Sequence, residues 1–327
     1  DTVLHACLPY DPAGSMRRFV NKFQPSLLIL METELWPNLI HTCHRREVPV
    51  VLANARLSAR SARGYRRFAG LTRPMLDKLE LVAAQSAEDA QRLIEAGADS
   101  ADVRVTGSLK FIVEVDYSAP LAAGVFDVIN EADRLVIIAS STRAGEEEKV
   151  LSAFERVLIS HPSTLLLLVP RHPERFDEVA KLVQARGLSL GRRSNNDHLT
   201  SAMQVYLGDS MGEMMSYYRL ASIAFVGGSL VDTGCQNVLE PAAFGIPVVT
   251  GPSQYNFASI CRQLESESAL HTVVDEQALA DYLIDLIPDW ARQAEMGRLG
   301  KALVERNQQS LPALLSLLEP LLKPTDA

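Results

Sequence analysis

A turn rich in glycine and polar residues follows the apolar run Ile223–Val226, and it offers groups that bind a phosphate. Gly227 and Gly228 lack side chains, so their backbone amides can approach an anion closely. A helix that begins near Gln236 would add the positive end of its dipole. Glu240, one turn into that helix, is expected to accept hydrogen bonds from ribose hydroxyls. The alternative interpretation is an ordinary strand-to-helix turn with Glu240 as a solvated acid.

Similar features follow other apolar runs in the second half of the chain. Ser141 and Thr142 present hydroxyls and amides at one strand end, and Arg171 and His172 lie between two prolines that fix a turn. The segment 208–213 follows a further run and could close over a base or a sugar. Ligands of open α/β sheets bind at the carboxyl ends of strands, so several such ends favour a common site. Taken singly, the same residues fit an N-cap and surface cations in turns equally well.

The first third of the chain carries paired carboxylates. Glu32 and Glu34 flank Thr33 directly after an apolar run, and Trp36 and Pro37 open the next helical stretch. Such a pair can act as a base or bind sugar hydroxyls. Acids at a helix start also complement the helix dipole, which is the alternative explanation.

An arginine cluster follows these carboxylates. No acid occurs between Glu47 and Asp77, whereas six arginines do: Arg56, Arg60, Arg63, Arg66, Arg67 and Arg73. The planar guanidinium group suits phosphate, so the cluster predicts an anionic ligand. Tyr65 and Phe68 lie among the arginines and would fit nucleic acid, the apolar edge of an amphiphile, or plain packing. A solvated helix face remains the alternative.

Composition limits the partners and the class of protein. The chain has 327 residues, a net charge of −8 and 47% hydrophobic residues, so it is long enough for about two folded domains. The acidic balance argues against a general nucleic-acid binder. There is no GxGxxG, P-loop, HExxH or GxSxG motif, which disfavours dehydrogenases, P-loop NTPases, zinc proteases and α/β-hydrolases. His41 and His44 have no partner at ligand spacing, so no metal is assigned.

Alternating apolar runs and amphipathic stretches predict an α/β fold with parallel sheets buried on both faces. The pattern breaks down between Phe111 and Asp133. We therefore expect a first domain at 1–115, a linker at 116–133 and a second domain at 134–327 that ends in one more helix. The expected strands lie at 27–30, 50–53, 81–84, 103–105, 135–140, 165–169, 204–207, 223–226 and 248–250.

Five strings carry a family resemblance: METELWPN at 31–38, ANARLS at 53–58, VTGSLKF at 105–111, PRHPER at 170–175 and FVGGSL at 225–230. They closely resemble the 3-deoxy-D-manno-octulosonic acid (Kdo) transferases of Gram-negative lipopolysaccharide assembly, along about residues 3–322. The resemblance implies a GT-B glycosyltransferase with two Rossmann-like doubly wound domains and a cleft between them. It implies an inverting reaction with CMP-Kdo as donor and the lipid A precursor (lipid IVA) as acceptor, at the cytoplasmic face of the inner membrane. No cofactor and no nucleic acid is expected.

The resemblance also assigns site residues. The expected donor-binding residues are Ser141, Thr142, Arg171, His172, Met211, Gly212, Glu213, Gly227, Gly228, Ser229, Asn237 and Glu240. The expected acceptor-binding residues are Glu32, Glu34, Arg56, Arg60, Arg63, Arg66 and Arg67.

The chain departs from the family pattern in three places. Members normally begin with a membrane-anchoring segment and a unit whose Ser-x-Gly-Glu carries the proposed catalytic base, so the resemblance implies that the base lies before Asp1 and that the first domain is incomplete. Arg143 stands where members commonly have His, and Gln236 stands where they have another His. Gln236 can donate a hydrogen bond but cannot carry the charge of an imidazolium. The alternatives are another GT-B nucleotide-sugar transferase or epimerase, or a nucleotide-binding module without turnover.

Overall fold

The computed structural model describes residues 3–115 and 134–322, so the expected linker at 116–133 lies outside the described residues. The chain divides into two compact units. One contains the chain up to Ile112 together with the part from Asn307 onward, and the other contains Val113–Arg306.

The first unit is built on a parallel sheet with the strand order β1-β2-β3-β4. β2 and β3 are buried along their whole length, whereas Ile29 and Met31 of the edge strand β1 are each 43% exposed. Its elements are α1 (Ala13–Phe23), β1 (Leu28–Met31), α2 (Pro37–His44), β2 (Val50–Ala55), α3 (Ala59–Arg67), α4 (Ala69–Leu76), β3 (Leu81–Ala84), α5 (Ala87–Ala96) and β4 (Val103–Val105).

The second unit is built on a seven-stranded parallel sheet. Its elements are β5 (Val136–Thr142), α6 (Glu146–Ser160), β6 (Leu165–Pro170), α7 (Phe176–Ala185), β7 (Leu190–Arg192), β8 (Val205–Leu207), α8 (Met214–Tyr218), β9 (Ile223–Val226), α9 (Leu239–Ala243), β10 (Val248–Thr250), α10 (Ala258–Ser266), β11 (Leu270–Thr272), α11 (Glu276–Leu286) and α12 (Trp290–Asn307). Alternate residues of β5 enter two hydrophobic clusters: Ile137 and Ala139 pack on one face, and Val136 and Ile138 on the other. The sheet is therefore covered on both faces, as the apolar runs predict.

The nine expected strands are all present, with ends that differ by at most two residues. The structure adds the short strands β7 and β11, which the sequence pattern does not predict.

The last helix, α13 (Ser310–Leu318), differs from its expected place. The domain prediction put it in the second domain. In the structure, Leu314 and Leu318 form a hydrophobic cluster with Val51, Ala53 and Leu81 of the first sheet. The apolar face of this helix covers the side chains of β2 and β3, and the first unit is therefore made from two separate parts of the chain.

Candidate functional site

The seven-stranded sheet has a point at which its strand order reverses. The order is β11-β10-β9-β5-β6-β8-β7, so the chain leaves β5 toward β6 on one side, and leaves β9 toward β10 on the other. Open α/β sheets bind ligands at the carboxyl ends of two such neighbouring strands. A Cβ atom on Gly227 would lie 2.6 Å from the Cα of Thr142 and 2.7 Å from the Ser141 carbonyl oxygen. Gly227 thus permits the close approach of the two strand ends.

A cavity of about 270 Å³ lies in the second unit at these carboxyl ends. It brings together six of the predicted donor-binding residues from four strand ends. Those six are Ser141, Arg171, Met211, Gly212, Asn237 and Glu240. The remaining lining residues are Val169, Pro170, Ser210, Met214, Tyr218 and Gln236.

Glu240 is the acidic residue of this cavity. Its Oε1 accepts a hydrogen bond from Nδ2 of Asn237 at 3.0 Å. Burial raises the pKa of the Glu240 carboxyl, while Asn237 and the positive charge of Arg171 act in the opposite direction. The helix that carries Glu240 begins at Leu239 and has five residues, so it starts later than the expected position near Gln236. A helix this short adds little dipole to the site.

Ser141 has an unusual backbone conformation at the cavity wall. Its φ is +55°, and the pairing of β5 with β6 shifts register between Ser140 and Thr142. Positive φ is uncommon for a residue with a side chain, and local strain of this kind concentrates at ligand sites. The bulge gives Ser141 its place in the cavity lining.

The turn after β9 differs from its predicted role. The amides of Gly228, Ser229 and Leu230 donate to the carboxylate of Glu146 at 2.6, 3.0 and 2.9 Å. The amide of Arg143 donates to the same carboxylate at 3.1 Å. Glu146 is fully buried, and these amides are therefore already paired with an anion of the protein itself.

This pairing leaves the predicted phosphate site without its amide donors. The Gly228 and Ser229 amides point to Glu146, and the Ser229 hydroxyl donates to the Val226 carbonyl oxygen at 2.6 Å. Gly227, Gly228 and Ser229 are absent from the cavity lining. Their place in the structure fits the ordinary-turn alternative, with a close strand approach at Gly227.

Thr142 and His172 also lie outside the cavity wall. The Thr142 hydroxyl donates to Oε1 of Glu147 at 2.9 Å, and Arg175 donates to the same oxygen at 2.6 Å. Nε2 of His172 lies 2.5 Å from a guanidinium nitrogen of Arg143, so that ring nitrogen accepts. Both residues therefore belong to a network beside the cavity.

Glu213 has a structural partner as well. Its carboxylate accepts two hydrogen bonds from Arg193, at 3.2 and 3.0 Å, and further ones from Ser210 and Tyr217. Glu213 does not line the cavity, but Ser210, Met211 and Gly212 of the same loop do.

The predicted acceptor residues belong to the first unit. Glu32 forms an ion pair with Arg56 at 2.9 Å, and Glu34 accepts from Nε1 of Trp36 at 3.1 Å. Arg66 forms an ion pair with Glu95 at 3.0 Å. The cluster has no acid near it in sequence, but the fold brings two acids to it.

The helix α3 carries four of the predicted arginines: Arg60, Arg63, Arg66 and Arg67. A surface cavity of about 520 Å³ between α3 and α5 is lined by Arg63, Arg66 and Arg92, together with Glu88 and Glu95. Within residues 3–115 and 134–322, no ion pair is formed by Arg60, Arg63 or Arg67. These three cations therefore carry the positive charge of the exposed face.

Six cavity residues were not among the predicted donor-binding residues: Val169, Pro170, Ser210, Met214, Tyr218 and Gln236. The position of Ser210 was indicated by the sequence, because Ser210 lies in the segment 208–213 that follows a predicted strand. Tyr218 is almost fully buried, and burial raises the pKa of its phenol. It comes from the end of α8, and no local pattern marks that helix end as a cavity wall.

Within the described ranges, no helix has the length and apolarity that a membrane span requires.

The model of the family "3-Deoxy-D-manno-octulosonic-acid transferase (kdotransferase)" matches residues 1–113, and that of "Glycosyl transferases group 1" matches residues 131–303. A 3-deoxy-D-manno-octulosonic acid transferase of Haemophilus influenzae is 40% identical over 99% of this chain and 76% of its own length.

Solved structures agree with this result. The C-terminal CMP-Kdo binding domain of WaaA from Acinetobacter baumannii is 34% identical, covers 59% of this chain and 95% of its own, and has a TM-score of 0.51. A putative UDP-N-acetylglucosamine 2-epimerase from Listeria monocytogenes has a TM-score of 0.58 over 94% of this chain and 78% of its own, at 14% identity. At 14% identity the epimerase shows the fold alone, which is GT-B. The chain belongs to the Kdo transferase family of glycosyltransferases.

Proposed function

We propose that this chain transfers Kdo from CMP-Kdo to the lipid A precursor lipid IVA, with inversion at the anomeric carbon, at the cytoplasmic face of the bacterial inner membrane. The observation that carries the proposal is the cavity at the strand-order reversal of the second unit. The side chains of Glu240, Arg171 and Asn237 line this cavity together. A relative at 34% identity over this part of the chain is described as a CMP-Kdo binding domain, which supports CMP-Kdo as the ligand.

The cavity residues fit the parts of a nucleoside monophosphate. Glu240 is an acceptor for the two ribose hydroxyls, and Asn237 fixes the carboxylate by donating to Oε1. The guanidinium of Arg171 supplies positive charge for the phosphate. Met211 and Met214 offer adaptable apolar surface to the flat face of a base. Because the Gly228 amide is bound to Glu146 and the Gly227 amide to the Ser140 carbonyl oxygen, the phosphate depends on side chains and not on that turn.

The reaction needs an acceptor hydroxyl that attacks the anomeric carbon as CMP leaves. In the proposed mechanism a carboxylate removes the proton from a glucosamine hydroxyl, and cations stabilise the departing phosphate. We propose that the first unit binds the acceptor through Glu32, Glu34 and the arginines of α3, whose unpaired members suit the phosphates of the lipid. Phe68 and Leu71, which are 65% and 73% exposed beside this helix, suit its apolar part at the membrane surface.

The donor is tested by calorimetric titration of the chain with CMP and with UDP. We expect CMP to bind, and we expect Glu240→Ala to weaken its binding by roughly 1.5–3 kcal/mol, because hydrogen bonds to a charged group are lost. Asp232→Ala removes an exposed acid outside the cavity lining and serves as the control. A chain that binds UDP in preference to CMP would overturn the donor assignment and favour another GT-B activity.

The acceptor surface is tested with vesicles that contain anionic lipid. We expect the double variant Arg63→Ser with Arg67→Ser to bind them less than the unmodified chain, and we expect added salt to reduce binding of the unmodified chain. Arg298→Ser with Arg306→Ser removes two exposed arginines of α12 in the second unit and controls for the loss of two charges. Vesicle binding that is independent of salt and of the two arginines would reduce the cluster to a solvated helix face.

A further inference from the structure

One wall of the cavity is the loop between β8 and α8, and its hydroxyl group has a fixed partner. Ser210 lines the cavity, and its Oγ donates to Oε2 of Glu213. The other carboxylate oxygen, Oε1, accepts from Nε and Nη2 of Arg193 at 3.2 and 3.0 Å. Tyr217 completes the group, since its hydroxyl lies 3.0 Å from Oγ of Ser210 and 3.4 Å from Oε2 of Glu213.

The charge of Glu213 decides the direction of these hydrogen bonds. Burial would raise the pKa of Glu213, but the hydrogen bond from Ser210 and the pairing with Arg193 outweigh it and lower the pKa. The ionised carboxylate can only accept. The single proton of the Ser210 hydroxyl is thereby directed to Glu213, and Tyr217 donates either to Ser210 or to the same carboxylate. In both cases Ser210 has no proton for the cavity and can present only a lone pair.

We propose that Ser210 determines base specificity by accepting a hydrogen bond from an N–H group of the bound base, with Glu213 as the positioning residue. The inference rests on the proposed CMP donor. The 4-amino group of cytosine donates hydrogen bonds, whereas the 4-carbonyl group of uracil only accepts them. A lone pair at Ser210 attracts the amino group and repels the carbonyl oxygen, because two acceptors that face each other in a confined site lose their hydrogen bonds to water. Cytosine is therefore favoured over uracil.

The test measures the affinity ratio of CMP to UMP by calorimetric titration of the whole chain. We expect the unmodified chain to prefer CMP and Ser210→Ala to reduce the ratio about tenfold, mainly through weaker CMP binding. Ser210→Thr retains the hydroxyl and is expected to retain the ratio. In Glu213→Gln the amide can donate to Ser210, which releases its proton toward the cavity, so the ratio should shift toward UMP.

Asp177→Asn is the matched control. Asp177 pairs with Arg192 in the neighbouring network at 2.8 Å and is 79% exposed, so this variant should leave the ratio unchanged. A ratio that stays within twofold in Ser210→Ala, while CMP still binds, would overturn the role of Ser210 and leave the proposed donor standing. Failure of the unmodified chain to bind CMP would instead refute the donor, and this inference with it. Folding of each variant is checked by its circular dichroism spectrum.

Discussion

Glu146 provides the sharpest prediction, because a buried carboxylate holds the turn after β9. Each oxygen accepts two backbone amides: Oε1 those of Ser229 and Leu230, and Oε2 those of Gly228 and Arg143. In Glu146→Gln the side-chain oxygen can still serve two of them, but the new NH₂ group faces the other two donors. A buried amide without a partner costs about 1–3 kcal/mol. With some local relaxation, we expect a loss of about 2–4 kcal/mol in the free energy of unfolding.

The assay must report on the second unit alone. The chain has two tryptophans, of which Trp290 lies in the second unit, so urea unfolding followed by fluorescence in a Trp36→Phe background isolates its transition. Glu148→Gln is the control, because Glu148 is an exposed acid in the same first turn of α6 and its loss should cost about 0.3–1 kcal/mol. In Glu146→Ala, formate should restore part of the lost stability by occupying the vacated amides. Equal destabilisation by Glu146→Gln and Glu148→Gln would refute the reasoning.

Three further predictions concern the same unit. CMP affinity should fall on acidification, and at a higher pH than an ordinary glutamate would give, because burial raises the pKa of Glu240 and protonation removes its acceptor charge. Calorimetry with Glu240→Gln should show this component missing. Asp209→Asn should destabilise the unit by about 1–3 kcal/mol at pH 7, because the buried carboxylate of Asp209 pairs with Arg192 at 2.7 Å. Hydrogen bonds and this pairing lower the pKa of Asp209, so urea titrations should show a smaller difference from the unmodified chain at low pH. Gly297→Ala should lower the free energy of unfolding by about 3 kcal/mol or more, because the new Cβ would lie 1.8 Å from the Gly245 carbonyl oxygen. In Gly300→Ala the new Cβ would lie 3.4 Å from the Cβ of Ala242, so the unfolding midpoint should change little.

Most strands were predictable because they contain unbroken runs of apolar residues, such as 136–139 in β5 and 165–169 in β6. In a sheet that is buried on both faces, neither face needs polar side chains, so β5, β6 and β9 stand out from their surroundings. The strands β7 and β11 have three residues each and lie at the sheet edges, where Arg192 and His271 are tolerated. Such short, mixed segments carry no periodic signal.

The position of the candidate site was predictable, but the partners of its amides were not. Glycines after a strand indicate a close approach, and Gly227 does lie against the end of β5. Whether the amides of Gly228 and Ser229 bind a ligand or a carboxylate depends on Glu146, which is more than eighty residues away in sequence. The ion-pair partners of the acid-free arginine segment were hidden for the same reason, because Glu32 and Glu95 reach Arg56 and Arg66 only through the fold.

The return of α13 to the first sheet has a consequence for folding during synthesis. Ribosomes release the chain from its amino end, and domains generally fold as soon as they are complete. All strands of the second unit leave the ribosome before Leu314 and Leu318, which cover Val51 and Leu81 of the first sheet. The four strands of the first unit are thus synthesised before the second unit, whereas its helix α13 is synthesised after it. One apolar face of the first sheet stays uncovered throughout the synthesis of the second unit. Over that interval this face exposes apolar side chains to which a chaperone can bind.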